Sequence, residues 1–324
     1  MEQPDITGDV NNFYDVLVHY QTHIADSKKV KLGNKGKCRF CSNEDLKNFK
    51  KTAHTIPEFL GNKRIINLDE CDNCNKIFSR YEDELSRFLS PYLTMGQIRG
   101  KRGIPKIKGA GFEFKRDEKR ISFSISNQEP NDVILYNPLN DSIQLKAVLP
   151  KHKFIPRHAY KALCKVALSI LPQEELQNFT KLLKWIREPN DLEDFHYLEC
   201  KLSQTEMYRR LPLVGAYVLK RKGDTAEVPY MIFVLMASTF CLQIDLMSDE
   251  KDNHIDFLAS KQIQISKNII LGNGSEQVQI NYRDEIRMNW ASSEKTTILL
   301  DSMSFNIPRS DFIKSAHIIK NQQQ

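Results

Sequence analysis

At 324 residues with a formal charge of +6, the chain is long enough for two ordinary domains and leans mildly towards a polyanionic partner. Hydrophobic residues make up 40% of it and glycine and proline number 13 each, which excludes a disordered or fibrous protein and describes a soluble globular one. No uninterrupted apolar run is long enough to cross a bilayer, and the first residues lack the basic and apolar regions of a secretory signal. The expected address is cytoplasmic, without a membrane partner, where thiols stay reduced.

In chain order, residues 1–9 are polar. Phe13, Val16, Leu17, Tyr20 and Ile24 then fall at helical spacing and predict a helix over 11–24, with Asn11 or Asn12 as its N-cap. Residues 28–37 form a basic, glycine-containing connector. Next come two Cys-x-x-Cys pairs, Cys38/Cys41 and Cys71/Cys74. Two such pairs can give four thiolates to one tetrahedral Zn²⁺, a closed and therefore structural site. The remaining cysteines, Cys164, Cys200 and Cys241, lie in apolar surroundings and read as inert core.

The gap between the pairs is longer than a simple zinc ribbon needs, and it contains the run Ala53-His54-Thr-Ile-Pro57. Phe49 to Ala53 predicts a hairpin strand that delivers His54, and Gly61-Asn62 a turn. A helix is expected from about Asp69–Asp72 to Pro91, with Phe78, Tyr81, Leu85 and Phe88 on its packing stripe and Asn75, Ser79 and Glu82 on the adjacent face. The other histidines, His19, His23, His152, His158, His196, His254 and His317, have no ligand spacing with one another.

Cys-x-x-Cys, His-x-x-Pro, Asn67, and Cys-x-x-Cys followed at once by Asn75 together resemble the HNH endonucleases, ββα-metal nucleases often clamped by a four-cysteine zinc site. The resemblance covers roughly a third of the chain. It implies that His54 is the general base, that Asn67 braces the loop, and that Asn75 offers an oxygen to a catalytic Mg²⁺ or Mn²⁺, a hard cation that prefers such donors. One position departs from the family. The residue before the base, ordinarily an acid that ligates the metal, is Ala53. Glu58 is near in sequence, and Glu82 shares the Asn75 face but lies about 10 Å along the helix axis.

From Arg99 to Arg120 nine Lys or Arg side chains face three acids, and Lys101, Arg102, Lys106 and Lys108 are expected to contact phosphates. Beyond them, strands are predicted over 119–126, 132–136 and 142–149, helices over 157–171 and 173–187, and strands at 196–203, 212–221, 229–246, 262–271, 277–282 and 296–301.

The expected fold class is α+β: an N-terminal helix and connector (1–36), a zinc-clamped HNH domain with its trailing basic segment (37–118), and a C-terminal α+β domain (119–324) of about two helices on an antiparallel sheet. The resemblance implies a metal-dependent endonuclease acting on DNA phosphodiester bonds. It also implies an anti-phage defence or restriction effector gated by its C-terminal domain, whose further partners are copies of itself or another defence protein. The alternative is a catalytically degenerate zinc-dependent nucleic-acid-binding or scaffold protein, which Ala53 permits.

Overall fold

The computed structural model describes residues 5–6, 10–23, 26–101, 103–109, 112–116, 121–125, 134–148, 152–188, 198–204, 213–223, 228–253, 255, 269–271, 278–279, 288–297 and 302–315. The fold is α+β with antiparallel sheets, and the chain divides into two compact units. The first joins 1–105 to 153–297 and the second joins 106–152 to 298–324. The boundaries expected at 37 and 119 do not coincide with these units. The described residues of 153–297 group with the cysteine-rich stretch in the first unit.

In the first unit, the stretch expected to be an N-terminal helix is the strand β1 (Tyr14–His23). A long partner strand, Leu213–Arg221, prevails over the helical spacing: Tyr14 and Val16 share one face with Arg221 and Leu219, and past a bulge at Leu17 Val18, Tyr20 and Thr22 lie on the other face, opposite Val218, Ala216 and Val214. After β1 come β2 (Val30–Leu32), β3 (Ala53–His54) and β4 (Ile65–Asn67), then the 24-residue helix α1 (Asp72–Met95). The short sheet runs β2-β4-β3, with β2 parallel and β3 antiparallel to β4.

The helix α1 was expected to end at Pro91 but continues for another turn. Pro91, Tyr92, Leu93, Thr94 and Met95 are all buried, and that packing outweighs a lost hydrogen bond and a proline cost of roughly 3 kcal/mol.

Helix α2 (Pro156–Ile170) lies along α1. Its start is fixed from α1, where the Glu84 carboxylate accepts the Ile155 N–H at 3.0 Å, and the rings of Tyr81 and His158 meet at a tilt of 50° with centroids 4.8 Å apart. The second predicted helix is a 3₁₀ stretch over Gln173–Phe179 that runs into α3 (Thr180–Arg187). A five-stranded antiparallel sheet follows, built from β5 (Cys200–Gln204), β6 (Leu213–Arg221), β7 (Met231–Ala237) and β8 (Phe240–Leu246) in the order β5-β8-β7-β6-β1. The single strand expected over 229–246 is the hairpin β7–β8, turned by Ser238-Thr239 with Ser238 at φ 52°. All seven residues of β7 are buried, as a strand covered on both faces requires. Cys164, Cys200 and Cys241 are buried as expected.

The second unit holds an antiparallel meander, Ile107–Gly109, Phe112–Arg116 and Ile121–Ile125. It also holds a sheet in which Ser142–Val148 lies between Ile134–Asn137 and Ser302–Pro308, followed by the helix Arg309–Ser315. Among the described residues no helix is long and apolar enough to cross a membrane.

Candidate functional site

The first cysteine pair sits on a tight turn. The Cys38 N–H donates to Asn43 O and the Ser42 N–H to Cys38 O, both at 2.8 Å, with Ser42 at φ 57°. The second pair opens α1, with Cys71 at the N-cap and Cys74 in the first turn. Their Sγ atoms converge: all four lie within 4.8 Å of one another, with Cys38 to Cys74 at 3.8 Å and Cys41 to Cys71 at 3.6 Å. Four thiolates at a Zn–S distance of about 2.3 Å on a tetrahedron stand about 3.8 Å apart, so the set fits one ion of that kind. The Cys74 thiol and the backbone N–H groups of Cys71, Cys41 and Phe40 hold the Cys38 thiol down to about 4 against the opposing effect of burial. The same hydrogen bond, with burial, raises the Cys74 thiol, and burial raises that of Cys71, so holding all four as thiolates together would take a cation.

Between the pairs, antiparallel pairing sets Ala53 opposite Asn67 and His54 opposite Ile66. Asn67 is buried; its Oδ1 accepts the Asp69 N–H at 3.4 Å and its Nδ2 is enclosed without a hydrogen-bond partner. Asn75 follows Cys74 on α1 and is half-buried. Ala53 is buried and offers no donor atom to a metal. The family pattern's acid therefore has no counterpart at that position.

His54 is half-buried and its Nδ1 is enclosed without a hydrogen-bond partner. Burial pulls its pKa below the ordinary histidine value. Lys165, Lys29 and Lys101 pull in the same direction, and Glu58 opposes them. The imidazole is therefore neutral near pH 7, with a lone pair to accept a proton; of the three cations, Lys29 and Lys101 are exposed and Lys165 is buried against Glu70 and Glu82.

Lys101 sits on a turn closed by two reciprocal hydrogen bonds of 3.2 Å between the backbones of Gly100 and Gly103. Gly103 has φ +94°, and a Cβ added at Gly100 would stand 3.1 Å from Phe59 Cα. The turn thus rests on the chain five residues after His54 and needs its glycine to do so. Arg102 lies outside the described residues. Lys106 and Lys108 belong to the second unit, where both pair with Glu113, at 3.9 and 3.0 Å. Lys115 pairs with the same carboxylate. The expected free run of phosphate-binding lysines is in part a ring of ion pairs around one acid, because cross-strand register sets Lys108 opposite Glu113.

No protein family, curated protein or solved structure matches this chain. The site's chemistry therefore rests on its own residues, and some of these were not singled out from the sequence. The Lys165 ammonium of α2 donates to His54 O at 2.6 Å and to Glu82 Oε1 at 3.2 Å. Glu70 Oε2 stands 3.3 Å from the same nitrogen, an ion-pair distance, although neither Glu70 oxygen has an aligned hydrogen bond. Burial pushes the Glu70 carboxyl up to about 7 and raises that of Glu82, with Lys165 resisting in both cases. Arg39, inside the first knuckle, pairs with Asp69 and bonds carbonyls at the end of α2. The available signal for Lys165 was a lysine on the apolar stripe of an amphipathic helix, a place that demands a buried partner.

Proposed function

We propose that the chain is a zinc-stabilised HNH-type endonuclease acting on DNA, with His54 as general base. The observation that carries this reading is a neutral, enclosed histidine on the strand paired with Asn67, between two cysteine pairs whose four thiols converge. A closed four-thiolate Zn²⁺ site leaves no place for water, so its ion serves the fold by clamping the knuckle turn to the start of α1. His54 would take the proton of a water as that water attacks phosphorus, and Lys101 on its turn would hold a phosphate of the backbone. Asn75 would offer its amide oxygen to Mg²⁺ or Mn²⁺, which when bound supplies positive charge to the phosphoryl group and the leaving oxygen. Ala53 would add no ligand to such an ion. Reduced cytoplasmic surroundings, which keep the thiols available, belong to this proposal.

Buried Ala53 also favours a second reading, a zinc-dependent nucleic-acid-binding protein that does not cut. Incubating the purified protein with supercoiled plasmid, linear DNA and RNA, with and without Mg²⁺ or Mn²⁺, separates the two. Metal-dependent nicking supports the nuclease, and binding without nicking under every condition supports the second reading.

A further inference from the structure

In the pattern that His54 and Asn75 resemble, a cation ties the hairpin carrying the base to the following helix through an acid beside the base. Here that neighbour is Ala53, buried and without a donor atom. The first unit nevertheless places a positive charge between the two elements. Lys165 is fully enclosed, and its ammonium has three neighbours from three segments: the His54 carbonyl on β3 at 2.6 Å, Glu82 on α1 at 3.2 Å and Glu70 before α1 at 3.3 Å.

We propose that Lys165 is a positioning residue of this site: its ammonium, delivered by α2, fixes the backbone of His54 against the Glu82 carboxylate of α1 and so sets the place of the base relative to the helix. This rests on the nuclease reading above.

Two features make the arrangement more than packing. An ammonium without water is costly unless every direction of its charge is met, so its position is confined to the point where all three oxygens converge. One of those oxygens belongs to the backbone of the base itself, so any displacement of Lys165 moves the strand that carries the imidazole. Glu82 keeps about a fifth of its side chain exposed while Glu70 has none, so the cluster is anchored on the inner side and opens towards solvent through Glu82. A misplacement of about 1 Å at a reacting group can cost on the order of 10²-fold in rate.

The test uses the full-length, zinc-loaded protein in the metal and substrate conditions in which wild type nicks plasmid. Lys165→Met should lower kcat at least tenfold while KM and zinc content stay as in wild type, and Lys165→Arg, which keeps the charge, should recover part of the loss. Amide hydrogen exchange over Ala53–Thr55 should speed up in Lys165→Met. Because that variant strands two buried carboxylates and can fail to fold, a triple variant (Lys165→Met, Glu70→Gln, Glu82→Gln) removes the charges together while keeping the shapes. A folded triple variant with wild-type kcat, or with unchanged exchange at Ala53–Thr55, overturns the proposal. A wild type that cuts no nucleic acid under any condition overturns the nuclease reading instead, and the exchange measurement, which needs no turnover, then decides whether Lys165 fixes the His54 strand.

Discussion

The guanidinium of Arg39 grips Asp69 through two hydrogen bonds of 2.9 Å, from Nε to Oδ1 and from Nη2 to Oδ2. Its remaining nitrogen, Nη1, donates to the carbonyls of Leu168 and Ser169 at 2.8 Å and of Leu171 at 3.2 Å. The first cysteine turn is thereby locked both to the loop before α1 and to the unsatisfied carbonyls that end α2. The pair is largely buried, with side-chain exposures of 6% and 10%, so removing one partner strands the other. Arg39→Ala should destabilise the protein by about 3–5 kcal/mol in denaturant titration. Arg39→Lys should recover little of it, since an ammonium cannot reproduce the planar fork.

Gly33 lies on the other side of the same carboxylate. Its φ is +67°, and a Cβ there would fall 2.2 Å from Asp69 Cγ. Gly33→Ala should cost about 1–2 kcal/mol for the left-handed backbone alone, and more for the displaced Asp69. The two effects share a partner and will not add. In an Arg39→Ala background the same glycine substitution should cost measurably less, which a double-mutant cycle reads directly.

Chelation of the four-thiolate ion should unfold the region that carries His54. Circular dichroism and metal analysis should show one equivalent of zinc lost together with structure, because such a site contributes folding energy outright. A Cys71→Ser protein that keeps its full stability without metal would refute the role given to the ion.

Burial and the cations around His54 lower its pKa, so the base stays deprotonated to more acid conditions than a free histidine. The acid limb of the kcat/KM–pH profile should therefore fall below about pH 6.5. Replacing His54 by alanine should slow cleavage by ~10²–10⁴-fold and leave zinc content and DNA affinity unchanged.

In the second unit, Lys115 and then Lys108 hold the Glu113 carboxyl down to about 2, so it is charged at all ordinary pH values. If the lysines there bind DNA, Glu113 competes with phosphate for them. Glu113→Gln should then tighten binding and steepen the dependence of log K on log salt by up to about one counterion. An unchanged slope assigns these lysines to the meander alone.

The short-range features were legible in the sequence. Cys-x-x-Cys spacing predicts converging thiols because two residues between ligands suit one turn or one helix opening, and the thiols do converge. The stripe of Phe78, Tyr81, Leu85 and Phe88 predicts α1, and all four are buried on it. What the sequence hid depends on distant partners. β1 carries a local helical spacing, and its extended form is set by pairing with β6, which a bulge at Leu17 splits into two registers. Residues beyond Pro91 stay helical only because they are packed. Lys165 acquires its role from Glu70, Glu82 and the His54 carbonyl, none of which is near it in sequence.

The edge strand β1 carries a consequence for how the protein is made. Tyr217 on β6 donates its hydroxyl to Gln21 on β1, 196 positions earlier. During synthesis the cysteine turn, the His54 strand and α1 all emerge and can take up metal while β1 still waits for its neighbour. Closing a loop of that size late is slow, and until then β1 shows an unpaired edge to other nascent chains. Metal supply during translation should therefore limit misassembly less than the delay in completing β6, and slowing the ribosome between α1 and β6 should lower the soluble yield.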